Sequence, residues 1–202
     1  QLGYPISLAN LSSYGQVPWD KVDILILSNG TFPFLKDKAS TDQLSNWVKA
    51  GGKIVALQGA VDQLSALDWA AIKVLKTDTT AATPAHHLLK YGDRERSAIS
   101  DYTGGAIFKV SFDETHPLMF GFTRYYSLKQ DDKLYSYLEE GKGWNVGYLG
   151  EKSRVSGFVG GKLSKKLKNG LVFAVQDMGK GKIVYLRDNV LFRNFWENGK
   201  LL

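Results

Sequence analysis

The chain has 202 residues and a mass of 22.4 kDa, which is enough for one domain with a sizeable core or for two small ones. Its 44% hydrophobic and 23% charged residues are ordinary for a globular protein and exclude a disordered chain, and no apolar run approaches the roughly 20 residues of a membrane span. The absence of cysteine excludes disulfides, thiolate metal sites and cysteine nucleophiles, and a net charge of +6 is too small to indicate nucleic-acid binding.

The first predicted elements in chain order are a short strand, a buried strand and a helix. Residues 6–11 predict the short strand, and residues 22–27 are almost uninterruptedly aliphatic, which is the pattern of a strand covered on both faces. Ser40 and Gln43 form a capping box before an apolar stripe of helical spacing, and Gly51 is suited to end that helix.

A second strand and a second helix follow with short connections. Residues 53–57 are another buried apolar run, and residues 60–67 carry aliphatic side chains at helical spacing. The order strand, helix, strand, helix is typical of a parallel sheet.

The second half of the chain predicts a β-rich region. Residues 77–84 and 91–97 are polar and irregular, and the lysine-rich residues 162–168 are interpreted as a solvated loop or edge. Strand candidates, several of them broken by glycine, occupy residues 106–112, 135–138, 145–149, 155–159, 171–175 and 182–186, and the last two form a hairpin.

These elements predict an α/β fold with a doubly wound, flavodoxin-like, mostly parallel sheet and a β-rich insertion. Residues 1–202 are expected to form a single domain, because the sequence has no internal repeat and no convincing linker. The sequence starts at Gln1 without an initiator Met, and residues 192–197 are typical of the start of an amphipathic helix. Both ends therefore predict a piece of a longer chain.

Metal and phosphate sites find little support in the sequence. The three histidines, His86, His87 and His116, do not have the spacing of a hydrolytic zinc site. None of the glycine-rich stretches fits a phosphate-binding loop or a dinucleotide-binding motif. Their glycines are better explained as helix ends and hairpin turns.

A nucleophile elbow would lie at the turn after the strand of residues 53–57. The residue at the tip of that turn is Gln58, which cannot act as a nucleophile. A Ser-His-Asp set drawn from Ser28, His116 and Asp188 is the weakest of the catalytic alternatives, since a chain of this length offers such a set by chance.

Two apolar segments, residues 22–30 and residues 44–57, resemble the core of the class I glutamine-amidotransferase-like fold. More narrowly, the chain is similar to the C-terminal amidotransferase-like domain that follows the catalytic domain in a group of bacterial secreted zinc carboxypeptidases. The narrower resemblance is carried by four motifs: Leu2-Gly3-Tyr4-Pro5, His116-Pro117-Leu118-Met119-Phe120-Gly121-Phe122, Gly179-Lys180-Gly181-Lys182-Ile183-Val184 and Phe192-Arg193-Asn194-Phe195-Trp196.

The departures from the amidotransferase pattern bear directly on function. In active members the strand matched by residues 54–57 runs into a cysteine, and this chain has Gln58 there. The family's catalytic histidine follows a late strand, and the corresponding residue here is Arg187. Amidotransferase chemistry is therefore not available by the family's route.

The resemblance implies a non-catalytic accessory domain of a zinc carboxypeptidase-like protein. Its partner would be the upstream peptidase domain of the same polypeptide, located in the periplasm or outside the cell. Zinc is expected in that absent catalytic domain alone, and no cofactor is expected in this chain.

The alternative is a small-molecule or glycan-binding module that keeps the ancestral pocket and takes a peptide or sugar ligand. The pocket would lie at the carboxyl ends of the parallel strands. Its candidate residues are Asn29, Gly30, Gln58, Gly59 and Arg187, with Arg193 as a further anion contact.

Overall fold

The computed structural model describes residue 3 and residues 5–75, 88–153 and 155–188, with the backbone alone at residues 11–13. The strands are β1 (Ile24–Leu27), β2 (Lys53–Leu57), β3 (Ala106–Phe112), β4 (Tyr125–Lys129), β5 (Gly143–Leu149), β6 (Val155–Ser156), β7 (Gly170–Met178) and β8 (Gly181–Leu186). The α-helices of these residues are α1 (Lys38–Ala50), α2 (Gly59–Ser65), α3 (Tyr91–Ser100) and α4 (Gly161–Lys166).

The strands form a mixed sheet in the order β1-β2-β8-β7-β5-β3-β4, with β6 paired to β3. The β1–β2 and β2–β8 pairs are parallel, whereas the β8–β7, β7–β5, β5–β3 and β3–β4 pairs are antiparallel. The prediction of an α/β fold is confirmed, but the prediction of a flavodoxin-like, mostly parallel sheet is wrong. The β7–β8 hairpin places β8 beside β2, and every pair along the sheet from β8 to β4 is antiparallel.

The first strand of the sheet lies at its edge. The side chains of Ile24 and Ile26 are 52% and 57% exposed, while Leu27 is buried against the core. The expectation that this strand is covered on both faces is therefore wrong. Apolar composition alone does not separate an edge strand with one covered face from a central strand with two.

Helix α1 covers the buried face of the parallel strands. Its N-cap is Asp37, whose carboxylate accepts a hydrogen bond of 2.8 Å from the backbone N–H of Ser40, so the predicted capping box of Ser40 and Gln43 is not used. The helix ends at Gly51 with a φ of 132°, as the sequence predicts. Leu44 and Val48 are fully buried between this helix and the sheet.

Three further sequence expectations are corrected by the structure. Residues 6–10 form no strand, and Leu11–Gln16 is a 3-10 helix. The polar residues 91–97 belong to α3, in which no side chain is buried. The lysine-rich residues 162–168, interpreted as a loop or edge, begin inside α4. Both helices were missed because neither carries an apolar stripe of the usual width. The predicted loop at 77–84 lies outside the described residues.

The second half of the sheet curls back over the end of β8. Strand β4 is four strands away from β8 in the sheet order, about 19 Å in a flat sheet. Yet the Ser127 hydroxyl of β4 donates a hydrogen bond of 2.6 Å to the Asp188 carboxylate, immediately after β8. The sheet must therefore curve strongly, and a second apolar core that includes Phe108, Phe173 and Leu186 fills its concave side.

Candidate functional site

The turn after β2 has the backbone of a sharp strand-to-helix elbow. Gln58 has φ 46° and ψ −112°, a conformation that is rare for a residue other than glycine, and α2 begins at the next residue. Its backbone N–H donates a hydrogen bond of 2.9 Å to the carbonyl of Leu186 on β8. The parallel β2–β8 register thus brings Gln58 and Arg187 to the same end of the sheet. The elbow is present, but its tip carries an amide instead of a nucleophile.

The loop after β1 is held against α2 by side-chain amides. The Oδ1 atom of Asn29 accepts a hydrogen bond of 3.2 Å from the backbone N–H of Gly59. Gln63 on α2 donates to the carbonyl of Gly30 at 2.7 Å and accepts from the backbone N–H of Phe32 at 2.8 Å. The predicted residues Asn29, Gly30 and Gly59 do come together, but these contacts join them to each other and to Gln63.

The side chain of Arg187 lies in a buried ion pair. Its guanidinium is 5% exposed and pairs through Nη2 with the carboxylate of Asp131, in the loop that follows β4. The ammonium of Lys129, 2% exposed, lies 3.3 Å from the other oxygen of the same carboxylate. Burial would raise the pKa of Asp131, but the two cations outweigh it and hold that pKa below its usual value. Asp131 thus pairs with two buried cationic side chains at once.

Asp188 is the second buried carboxylate at this end of the sheet. Both of its oxygens accept hydrogen bonds from β4 hydroxyls, one from Tyr125 and the other from Ser127. Burial raises the pKa of Asp188, although these hydroxyls and the cations Lys129 and Arg187 act in the opposite direction. Two carboxylates and two cationic side chains are therefore packed together at this end of the sheet.

The loop after β4 also contacts helix α2. The Tyr135 hydroxyl donates to one oxygen of Asp62, and Lys133 lies 3.0 Å from the other. Because Asp131 of the same loop pairs with Arg187, the loop spans the space between α2 and the end of β8. This loop crosses the strand ends where the sequence predicts a pocket and buries Arg187, while Asn29 and Gly30 stay exposed and Gln58 is half-buried.

Two buried polar atoms at this place have no hydrogen-bond partner: Oε1 of Gln58, an acceptor, and Nε of Arg187, a donor. They belong to residues at the ends of neighbouring strands. Unsatisfied buried polar atoms are uncommon and carry a cost of about 1–3 kcal/mol each.

The Ser-His-Asp alternative does not assemble. The charges that act on His116 include Asp177 at the end of β7 and Lys182 at the start of β8, which are paired in the hairpin. Asp188 follows the other end of β8, about 20 Å away. Ser28 follows β1 at the carboxyl end of the parallel strands. The ring nitrogen Nδ1 of His116 instead accepts a hydrogen bond from the backbone of Leu118.

Arg193, His86 and His87 lie outside the described residues, as does the predicted helix start at 192–197. Sequence reasoning missed the residues that close the site, namely Asp62, Gln63, Tyr125, Ser127, Lys129, Asp131, Lys133 and Tyr135. None of them belongs to a motif, and their positions depend on the curl of the sheet. No sequence signal marked Lys129, because a lysine that alternates with apolar neighbours, as in Tyr125–Lys129, is typical of an exposed strand position.

Within the described ranges, no group of three or more histidine, aspartate or glutamate side chains is arranged to hold a metal ion. In the same part of the chain, no helix is long and apolar enough to cross a membrane.

No protein-family model matches the sequence, and no curated protein matches it either. Among solved structures, the chain is similar to a ThuA-like protein from Bacteroides uniformis, with 14% identity and a TM-score of 0.45. That match covers 93% of this chain and 71% of the other. A likeness of this degree says nothing about activity.

Proposed function

We propose that this chain is a non-catalytic accessory domain of a zinc carboxypeptidase-like protein, with a degenerate amidotransferase-like fold that docks onto or stabilises its partner domain. The absence of catalysis is argued from one observation, the buried ion pair between Arg187 and Asp131, which lies beside Gln58. An arginine held in this way cannot act as a general base, and the neighbouring elbow offers no nucleophile. The carboxypeptidase context depends on the sequence resemblance alone.

The test is a turnover assay on the purified chain. Peptides with free carboxyl termini and glutamine are offered with added zinc and, in parallel, with a chelator. The proposal expects no hydrolysis of either substrate under either condition. Peptidase turnover that the chelator abolishes would contradict it, because it would place a zinc site within this chain.

A second function is favoured by the two unsatisfied atoms, Oε1 of Gln58 and Nε of Arg187. A hydroxyl group can accept from the guanidinium and donate to the amide oxygen, so a polyhydroxylated ligand would satisfy both. This alternative requires the loop that carries Asp131 to open. Thermal-shift measurements with sugars, amino acids and acidic peptides test it, and an unchanged melting temperature with all three classes would count against it.

A further inference from the structure

The positive charge of this chain is concentrated in two segments. Residues 90–104 and 152–168 contain nine basic and three acidic side chains, a net charge of +6, which equals the net charge of the whole chain. The other residues contain 17 basic and 17 acidic side chains and therefore balance. An asymmetry of this kind indicates a surface that meets an anionic partner.

The fold joins the two segments. The backbone N–H of Gly160 donates a hydrogen bond of 2.9 Å to the carbonyl of Tyr102, and the Thr103 hydroxyl donates one of 3.0 Å to the carbonyl of Phe158. The backbones are so close that a Cβ atom at Gly160 would lie 2.4 Å from the carbonyl oxygen of Ile99. We call the exposed side of these joined segments the α3–α4 surface.

The lysines of α4 contribute most of the charge of this surface. Leu163 is buried in the second apolar core, whereas Lys162 and Lys165 are exposed. Lys162 and Lys166 lie 3.8 Å and 3.1 Å from the carboxylate of Asp101, just after α3. One carboxylate thus pairs with two ammonium groups, and the surface keeps an excess of positive charge.

The same surface exposes large apolar side chains. Ile99, Tyr102 and Phe158 are 47%, 59% and 54% exposed. A basic surface with exposed apolar groups fits the interface of an anionic bilayer, where cations meet the lipid headgroups and apolar side chains enter the boundary with the acyl chains.

We propose that the α3–α4 surface binds peripherally to a bilayer that contains anionic phospholipids. Lys162, Lys165 and Lys166 pair with the lipid phosphates, and Ile99 and Phe158 enter the boundary between headgroups and acyl chains. The attraction is the sum of these two contributions, since a basic cluster or a few apolar side chains alone bind a bilayer weakly.

Other occupants of this surface are less complementary to it. The residues outside the described ranges contain four basic and two acidic side chains, so they do not supply the missing negative charge. A two-fold contact with a second copy would place like charges opposite each other. A nucleic acid would stack its bases on Tyr102 and Phe158 but gains no stacking from the aliphatic Ile99.

Co-sedimentation of the full chain with lipid vesicles tests the proposal. The chain is expected to sediment with vesicles of phosphatidylglycerol and phosphatidylcholine, to stay in solution with phosphatidylcholine alone, and to be released by added salt. Lys165→Gln, Lys168→Gln should lower the partition coefficient at least about tenfold, because each cation near the bilayer contributes about fivefold. The matched control Lys36→Gln, Lys53→Gln removes two exposed lysines outside both segments and should change it less than about twofold.

Apolar substitutions distinguish a bilayer from other anionic partners. Ile99→Ser, Phe158→Ser should also lower the partition coefficient at least about tenfold, whereas Leu118→Ser, Phe120→Ser, at exposed apolar side chains elsewhere, should leave it unchanged. Vesicle binding that Ile99→Ser, Phe158→Ser does not weaken would overturn the proposal. So would a failure to bind anionic vesicles, and binding of single-stranded DNA in that case would assign the surface to nucleic acid.

A fluorescent label reports insertion directly, because the chain has no native cysteine. An environment-sensitive dye on Tyr102→Cys is expected to shift its emission to shorter wavelength when anionic vesicles are added, and the same dye on Phe120→Cys is not. Equal spectra for the two labelled variants in the bound state would refute insertion at this surface. None of these residues belongs to the site at the strand ends, so a failure here leaves the proposed function untouched.

Discussion

Replacing Asp131 by asparagine is expected to destabilise the fold strongly, because it removes the carboxylate that pairs directly with two buried cations. The side chains of Lys129 and Arg187 are 2% and 5% exposed, while Asp131 is 36% exposed. Breaking a buried ion pair on one side costs about 3–5 kcal/mol, and the partial exposure of Asp131 places the expected loss near 3 kcal/mol. For a domain of this size the melting temperature should fall by about 6–12 °C.

Urea unfolding followed by circular dichroism measures the free energy of unfolding of the Asp131→Asn variant. The matched control is Asp177→Asn, which breaks the exposed ion pair with Lys182 and should cost at most about 0.5 kcal/mol. If Asp131→Asn lies within about 0.5 kcal/mol of its control, the cations are not held by this carboxylate and the account of a site restricted by this ion pair fails.

Three further predictions concern the same end of the sheet. Gln58→Gly should stabilise the chain by about 1 kcal/mol in thermal melts, because glycine adopts the positive φ of the elbow without strain; a loss of stability would show that the amide makes a contact that matters. Tyr125→Phe should cost about 2 kcal/mol in urea unfolding, because it removes a hydrogen bond from the buried carboxylate of Asp188, and an unchanged midpoint would contradict that bond. The pKa of Asp131 is lowered in the folded state, so its stabilising contribution is present above its unfolded pKa of about 3.9 and is lost as the pH falls through the folded pKa. The difference in unfolding free energy between wild type and Asp131→Asn should therefore shrink between neutral pH and strongly acidic pH, and a constant difference would refute the assignment.

Several elements of the fold could be predicted from the sequence because their signals are local. The residues of β2, the stop at Gly51 and the β7–β8 hairpin are marked by apolar runs between glycines, and the structure confirms them. The order of strands in the sheet is not local, which is why the mostly parallel arrangement was wrongly expected. Nothing in the residues of β8 specifies that it enters the sheet beside β2.

The candidate site could be predicted in part. Its place at the carboxyl ends of the parallel strands follows from the α/β order, and Gln58 and Arg187 do lie there side by side. Its closed state could not be predicted, because Asp131 and Tyr125 reach it from strands and loops that are distant in the sheet order. Only the curl of the sheet brings these side chains to the strand ends.

The central claim is that the elbow is retained while the buried Arg187–Asp131 ion pair and the loop after β4 restrict access to it. The reaction rate of a single thiol at position 58 tests it most directly, since Gln58→Cys creates the single cysteine of the chain. The account predicts that this thiol reacts with a soluble alkylating reagent at least about tenfold more slowly than the exposed thiol of Phe120→Cys. Gln58 is half-buried and its Oε1 atom is inaccessible to solvent, and burial both shields a thiol and raises its pKa. Equal rates for the two variants would show an open pocket at the elbow and contradict the account.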